Sequence, residues 1–307
     1  WLRDSIDRLL EDSPTFKKYI EDQFPADEIY EFGFSEGRDG DTMPVSVRDG
    51  FLAFHGRLFV PVRKTDKMRC CNYDYGFTGA GKTQIYELVE FLHGPDYCQV
   101  TQDPEYVDKF NVNSSTAKLR LITAQDFGNK CPFTAAQVQK MVGGERVAVR
   151  DMQSTAGDAG WQVPLWFVSN FEPPWKDEAH ALANRLLLWK WKPFDGAANT
   201  DLLEKMQKEP RVLLIFLKAY EKLLNHIKNT PSQQWKWQYF DEARKAAVQK
   251  TPFVDFLTCE SFQNLQVTYT ITPEANATTL KTRLEDIFKK FCESKGITSP
   301  EVGVNEM

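Results

Sequence analysis

The sequence predicts an α/β protein with a mainly parallel β-sheet, and three observations support this fold class. Between residues 68 and 195, short apolar stretches of strand length alternate with stretches whose apolar residues recur at helical spacing. Such alternation is typical of βαβ units, whose strands run parallel. A glycine-rich stretch, GFTGAGKT at 76–83, lies between the first strand and the first helix of this region. The 307 residues, 42% of them hydrophobic, are sufficient for a core of about two domains.

Changes in periodicity divide the chain into three regions. Residues 1–67 predict short helices up to about residue 32, with a new start at Ser13-Pro14, and then a small β-meander with a hairpin turn at Asp49-Gly50. His55 falls in a turn of that meander and is given no special role. Residues 68–195 carry the sheet. Residues 196–307 predict a helical, winged-helix-like domain or lid.

The individual elements follow from the spacing of apolar residues and from turn residues. Strands are predicted at 68–75, 97–101, 118–124, 165–168 and 185–189, and helices at 84–92 and 134–142. In the third region, Pro210 opens a helix, a strand is predicted at 267–271, and a last helix runs from Leu280 to near Gly296. The strand before the glycine-rich stretch is poor in Val and Ile and is the weakest of these predictions.

Composition excludes several classes of protein. No apolar run approaches membrane-spanning length and no signal-peptide pattern is present, so we expect no membrane contact and no secretion. None of the six cysteines has C-x-x-C spacing, which predicts reduced thiols in an intracellular protein. The net charge of −5 predicts that any contact with nucleic acid depends on a local basic feature.

The stretch at 76–83 fits the phosphate-binding pattern G-x-x-x-x-G-K-[ST]. Glycines let the backbone curl so that successive N–H groups face phosphate oxygens, and the following helix directs its positive end at the same anion. Lys82 is expected at the β- and γ-phosphates of ATP, and the Thr83 hydroxyl at Mg²⁺. The expected nucleotide-binding residues are Gly76, Thr78, Gly79, Ala80, Gly81, Lys82 and Thr83. The alternative is a glycine-rich turn that fits by chance.

Three further residues have the types that hydrolysis of a triphosphate needs. Asp126 follows the strand at 118–124 and is the candidate for holding Mg²⁺ or polarising water, although Gln125 stands where many such enzymes have a second acid. Asn170 ends a strongly apolar strand, where its amide can orient the attacking water. Arg185 begins the last strand, and in a ring it would reach a neighbour's γ-phosphate. The alternatives are a turn aspartate, a strand-end asparagine and a surface ion pair.

The order of these motifs resembles the helicase domain of superfamily 3, the viral and mobile-element branch of the AAA+ ATPases. The matching stretches are 76–83, LITAQD at 121–126, QKMVGGERVAVR at 139–150 and WFVSN at 166–170, followed by Pro173. The resemblance covers roughly residues 68–195. It implies an AAA+ P-loop core, catalytic roles for Lys82, Asp126 and Asn170, and an arginine finger at Arg185.

The third stretch bears on the substrate of this family. There a hairpin projects into the channel of a hexameric ring and grips single-stranded nucleic acid through a basic residue. The tip at 151–160 contains neither Lys nor His, so the resemblance implies Arg150, and after it Arg146, as the nucleic-acid contacts. The alternative is that both arginines are solvated strand residues.

Subgroup features point mainly to the poxvirus-type primase-helicases. Residues 47–54 and 284–296 are similar to segments of those proteins, whereas Gly143-Gly144 with its hairpin is also like parvovirus non-structural replication proteins. Both resemblances imply a primase or nicking domain upstream of Trp1 in the same polypeptide.

The sequence thus predicts an ATP-dependent DNA helicase that forms a homo-hexameric ring on single-stranded DNA. Two other classes stay open: a P-loop NTPase that acts as a remodelling or packaging switch, and a degenerate ATP-binding scaffold of a replication complex.

Overall fold

The computed structural model describes residues 5–34, 42–94, 98–101, 116–125, 131–149, 157–175, 182–194, 201–227, 235–241 and 289–290. The chain forms two compact units, Trp1–Arg244 and Lys245–Met307. Within the second unit only Lys289 and Lys290 are described, and both are helical and exposed. The predicted strand at 267–271 lies outside the described residues, as does all but this pair of the predicted last helix.

The first unit contains all the other described elements. Its helices are α1 (Ile6–Glu11), α2 (Pro14–Gln23), α3 (Val47–Gly56), α4 (Lys82–His93), α5 (Ala135–Val142), α6 (Leu202–Lys208) and α7 (Val212–Ile227). Its strands are β1 (Ile29–Phe34), β2 (Met43–Ser46), β3 (Cys71–Gly76), β4 (Cys98–Thr101), β5 (Leu121–Gln125), β6 (Arg146–Val149), β7 (Gly157–Gly160), β8 (Leu165–Ser169), β9 (Leu186–Trp191) and β10 (Trp235–Trp237).

The main sheet has five strands in the order β4-β5-β8-β3-β9, and every neighbouring pair is parallel. This confirms the predicted α/β class with a parallel sheet. In a parallel sheet all carboxyl ends meet at one edge, here called the carboxyl edge, and all amino ends meet at the opposite amino edge. The glycine-rich loop follows β3, which is flanked by β8 and by the edge strand β9, so the loop begins between the ends of two other strands at the carboxyl edge.

The N-terminal region differs from the sequence prediction in two places. Helices α1 and α2 form as expected, but the prediction of helix up to residue 32 is wrong, because β1 pairs antiparallel with both β2 and β10. The β-meander after residue 44 is also wrong beyond β2. Val47–Gly56 is helix α3, and the Ser46 hydroxyl caps it by accepting from the Asp49 N–H at 3.1 Å.

Helix α3 was missed because Asp49-Gly50 is a turn signal in isolation, whereas here it occupies the first helical turn. The helix is buried along nearly its whole length. Burial of this apolar segment outweighs the cost of a glycine inside a helix, which is only about 1 kcal/mol. The predicted position of His55 in a turn is therefore also wrong, since it lies in the last turn of α3.

A buried ion pair fixes the segment that connects α3 to β3. Arg57 donates from Nε and Nη2 to the Asp66 carboxylate at 2.8 and 3.1 Å, and also to the Met68 carbonyl at 2.8 Å. Tyr220 of α7 donates its hydroxyl to the same carboxylate. Burial works against the charge, yet the Arg57 guanidinium keeps the pKa of Asp66 below its ordinary value. Helix α7 is thereby tied to the segment that leads into β3.

The predicted hairpin after Gly143-Gly144 is present as the antiparallel pair β6 and β7, with Arg146 opposite Gly160 and Val149 opposite Gly157. Helix α5 ends in a Schellman motif, in which Gly144 has φ 63° and the Glu145 N–H donates to the Lys140 carbonyl at 3.0 Å. The tip of the hairpin at 151–156 lies outside the described residues.

Candidate functional site at the carboxyl edge

The glycine-rich loop curls between β3 and α4. Gly76, Gly79 and Gly81 have φ values of 148°, 81° and 96°, a region that L-residues rarely adopt. A Cβ on Gly79 would meet nothing within 4 Å, whereas one on Gly76 would lie 2.5 Å from the Trp191 carbonyl oxygen. Gly81 is the N-cap of α4, so the first backbone N–H groups of that helix have no side-chain acceptor from the cap residue.

Lys82 bends back over this loop. Its ammonium group donates to the Gly76 and Phe77 carbonyls at 2.9 and 2.8 Å, and to Oδ1 of Asn170 at 3.0 Å. Its side chain is buried, and Asn170, which directly follows β8, is exposed. The structure therefore brings together two predicted site residues that are 88 positions apart in the sequence.

The remaining predicted nucleotide-site residues lie around this pair. Thr78 and Thr83 are exposed, and Ala80 is buried. Gln125 ends β5 opposite Val168 of β8, so it lies on the same carboxyl edge. Among the described residues its Nε2 has no hydrogen-bond partner although it is buried. Asp126 follows Gln125 directly but lies outside the described residues.

Exposed phenylalanines border the loop. Phe77, Phe171 and Phe194 follow the ends of β3, β8 and β9, which are neighbours in the sheet, and they are 64%, 54% and 49% exposed. Large exposed apolar side chains clustered at one edge are typical of a surface that contacts another molecule.

Arg185 lies at the other end of the sheet. It ends a 3₁₀ turn directly before β9, and Leu186 pairs with Cys71 while Trp191 pairs with Gly76. Arg185 donates from Nη1 to the Gln139 carbonyl in the last turn of α5 at 2.8 Å. Within one chain, therefore, the structure does not bring Arg185 to Lys82.

The amino edge collects cationic side chains from several segments. The Val62 N–H donates to the carbonyl of Gln162, which lies just before β8, and the Arg63 side chain donates to the Gly143 carbonyl at 3.1 Å. Segment 61–64 therefore lies on this edge. Other segments directly precede β3, β5 and β9. The basic residues of this edge are Arg63, Lys64, Lys67, Arg69, Lys118, Arg120, Lys140, Arg146 and Arg185. Asp66, buried with Arg57, and Glu145 are the carboxylates in these described segments.

The predicted nucleic-acid residues fall on this basic amino edge in part. Arg146 starts β6 and is exposed. Arg150, the other predicted contact, lies outside the described residues.

Strand β3 contains polar residues that are fully buried. Asp74 accepts from the indole N–H of Trp166 on β8 at 3.1 Å and from that of Trp191 on β9 at 3.0 Å. Asn72 donates to the Phe54 carbonyl at 3.0 Å and accepts from the Trp189 indole at 3.3 Å. These indole bonds satisfy polar groups that would otherwise be costly in a core. They explain why a strand poor in Val and Ile can occupy an interior position in the sheet.

His55 completes this cluster from α3. It is fully buried; its Nδ1 lies 2.9 Å from the Phe51 carbonyl and its Nε2 lies 3.3 Å from Oδ2 of Asp74. A carbonyl can only accept, so Nδ1 carries a proton and Nε2 is the nitrogen that faces the carboxylate. Sequence reasoning missed both His55 and Asp74. The available signal was the alternation of polar residues in a strand predicted to be buried, together with the number of tryptophans in the neighbouring strands.

No protein-family model matches the chain, and no curated protein matches it. The apo structure of the NrS-1 C-terminal region (305–718) is similar to it with a TM-score of 0.52 and 9% identity, over 95% of this chain and 68% of that one. At this identity the similarity concerns the fold, which the two chains share. A structure of JCV helicase with a bound small molecule aligns over 93% of this chain and 74% of that one with 11% identity, but its TM-score of 0.29 is too low to support an argument.

Among the described residues, no helix combines the length and the apolar character that crossing a bilayer requires.

The buried carboxylate gives a direct test of how β3 is held. Asp74→Asn should lower the free energy of unfolding by about 1–3 kcal/mol, because one of the two indole N–H groups then faces an amide donor instead of an acceptor. Urea unfolding followed by tryptophan fluorescence measures this. Asp22→Asn, the same change at an exposed position of α2, is the control and should leave stability unchanged. Equal stability of the two variants would contradict the role given to Asp74.

Proposed function

We propose that this chain is an ATP-dependent helicase that translocates on single-stranded DNA during replication of a virus or mobile element. One observation carries the proposal. The loop lysine Lys82 and the strand-end amide of Asn170 lie 3.0 Å apart at the carboxyl edge of a parallel sheet. Ligands of such sheets bind at that edge, and a lysine beside an amide suits a γ-phosphate and the water that attacks it.

The residues present fit Mg²⁺-ATP. Glycines with positive φ curl the loop, the space beside Gly79 is open, and the start of α4 faces the same region. Bound Mg²⁺-ATP would supply the phosphoryl group that is transferred to water. Lys82 would neutralise charge on the phosphates, the exposed Thr83 hydroxyl would hold the metal ion together with Asp126, and Asn170 would orient the water.

Arg185 is proposed to act on a neighbouring chain. It lies at the amino edge, away from Lys82 of its own chain. A head-to-tail contact repeated around a closed ring would bring the part of the amino edge that carries Arg185 to the carboxyl edge of the next chain. The exposed phenylalanines at the carboxyl edge are suited to such a contact. We therefore propose a homo-hexamer that hydrolyses ATP between subunits.

The basic amino edge supports the choice of nucleic acid as substrate. In a chain with net charge −5, a concentration of cations on one edge provides the local basic feature that binding to a phosphate backbone needs. The β6–β7 hairpin starts on this edge with Arg146. We propose that these residues, with Arg150, contact the strand.

Gln125 favours a second candidate function. An uncharged amide stands next to Asp126, at a position where a second carboxylate would separate metal binding from activation of water. This second function is an ATP-binding scaffold of a replication complex, which would bind ATP without hydrolysing it. A remodelling switch, the other class that the sequence leaves open, would hydrolyse ATP without response to DNA.

The first test distinguishes these functions. Purified protein is expected to hydrolyse ATP faster when single-stranded DNA is present and to displace a strand from a partial duplex. Lys82→Ala should lower hydrolysis about 100-fold or more, because the phosphate charge loses its cation. Hydrolysis that does not respond to DNA would favour the remodelling switch, and ATP binding without hydrolysis would favour the scaffold.

The second test concerns the trans role of Arg185. Arg185→Ala should lose hydrolysis by roughly 10³-fold while it still binds ATP, as expected for a cation that acts in the transition state. Mixing this variant with Lys82→Ala should restore part of the activity, because some interfaces then combine Lys82 of one chain with Arg185 of the next. No recovery from mixed, properly folded proteins would argue against the finger. Thermal unfolding of Arg185→Ala shows separately what the lost bond to Gln139 costs.

The third test concerns the basic edge. Replacing both Lys64 and Lys67 with Glu should weaken binding of single-stranded DNA about tenfold and reduce the salt dependence, since fewer counterions are released. Lys18→Glu with Lys205→Glu is the matched control, because it changes net charge equally at exposed positions on α2 and α6. Equal losses in both double variants would show that net charge, and not this edge, determines binding.

A further inference from the structure

Helix α2 contacts the glycine-rich loop through one buried side chain. The Tyr19 hydroxyl donates to the Gly81 carbonyl at 2.7 Å, and Tyr19 is only 7% exposed. The same carbonyl accepts from the Gln84 N–H at 2.8 Å. A carbonyl oxygen has two lone pairs, so both acceptor positions of Gly81 are used.

This contact orients the peptide unit that joins Gly81 to Lys82. In a trans peptide the C=O and N–H bonds point in opposite directions within one plane. Holding the Gly81 carbonyl toward α2 and the helix therefore turns the Lys82 N–H to the opposite side. That N–H is one of the loop donors that a phosphate oxygen would meet.

The position of α2 is itself fixed at both ends. At its start, the N–H groups of Thr15 and Phe16 donate to the Glu209 carboxylate at 2.7 and 3.0 Å. Near its end, Gln23 accepts from the Lys192 N–H at 2.9 Å. The Tyr19 hydroxyl is thus presented to the loop by a helix that has little freedom to move.

The Tyr19 ring also contacts Trp191, a residue that packs against the other end of the loop. It lies 6.0 Å from the Trp191 ring, between centroids, and the Trp191 backbone is packed against Gly76. Burial, with the charge of Asp74 second, raises the pKa of Tyr19 well above its ordinary value, so the hydroxyl stays a donor.

We infer that Tyr19 is a positioning residue for the nucleotide loop, whose hydroxyl presets the Gly81–Lys82 peptide for triphosphate binding. The inference rests on the proposed function. It assigns to Tyr19 an effect on affinity for ATP, with little effect on the chemical step.

The test is Tyr19→Phe, which removes only the hydroxyl. The dissociation constant for ATP and the KM should both rise about fivefold, the ordinary effect of one lost hydrogen bond, while kcat stays within about twofold. Tyr220→Phe is the matched control, because it also deletes one buried hydroxyl bond, to Asp66, away from the loop. It should affect thermal stability at least as much as Tyr19→Phe and leave ATP affinity unchanged.

The outcomes separate this inference from the proposed function. If wild-type protein does not bind ATP, the proposed function fails and the inference fails with it. If wild-type protein binds ATP and Tyr19→Phe binds it equally well, only the inference is overturned. A loss of affinity in Tyr220→Phe as large as that in Tyr19→Phe, or a fall in kcat with KM unchanged, would overturn it as well.

Discussion

A carboxylate buried in β3, an interior strand of the main sheet, is the interaction on which this architecture depends. Asp74 binds one indole from each flanking strand, Trp166 on β8 and Trp191 on β9. A buried carboxylate without partners would cost several kcal/mol, so strands that supply these indole donors are favoured as neighbours of β3. The bonds fix both neighbours of β3 two residues before the loop begins. The geometry of the loop is therefore anchored in the core of the sheet.

The length of the strands in the parallel sheet separates the candidate nucleotide site from the cationic residues. The loop, Lys82 and Asn170 lie at the carboxyl edge, while Arg185 and the basic residues lie at the amino edge. The pairing of β3 with β9 extends over five residue steps, or about 17 Å at roughly 3.3 Å per step. No side chain spans that distance. A mechanism that uses both edges on one nucleotide needs a second copy of the chain.

Much of the core could be predicted because its signals are local. The helix at 134–142 has its cap at Thr134, the strand at 165–168 is continuously apolar, and the loop pattern has fixed spacing. Helix α3 could not be predicted in this way, because Asp49-Gly50 is a local turn signal, whereas burial of the whole segment favours a helix. Strand β1 was missed because the strand that completes its sheet, β10, is about 200 residues further along the chain.

The candidate site was predictable to the extent that its residues follow strand ends. Lys82 and Asn170 were expected at one edge, and they lie there. Tyr19, His55 and Asp74 were not found, because each matters through a partner distant in sequence. Their contacts depend on how α2 and α3 pack on the sheet, which no local pattern in the sequence specifies.

The glycines of the loop are constrained for different reasons, and this affects how related sequences should be interpreted. Gly76 has no room for a side chain, since a Cβ would lie 2.5 Å from the Trp191 carbonyl oxygen. Sheet packing alone would preserve that glycine in a relative that had lost its ligand. Gly79 faces open space and is restricted only by its φ of 81°. In an alignment, loss of glycine at position 79 with retention at 76 would therefore mark a chain that keeps this fold and no longer forms the curled loop.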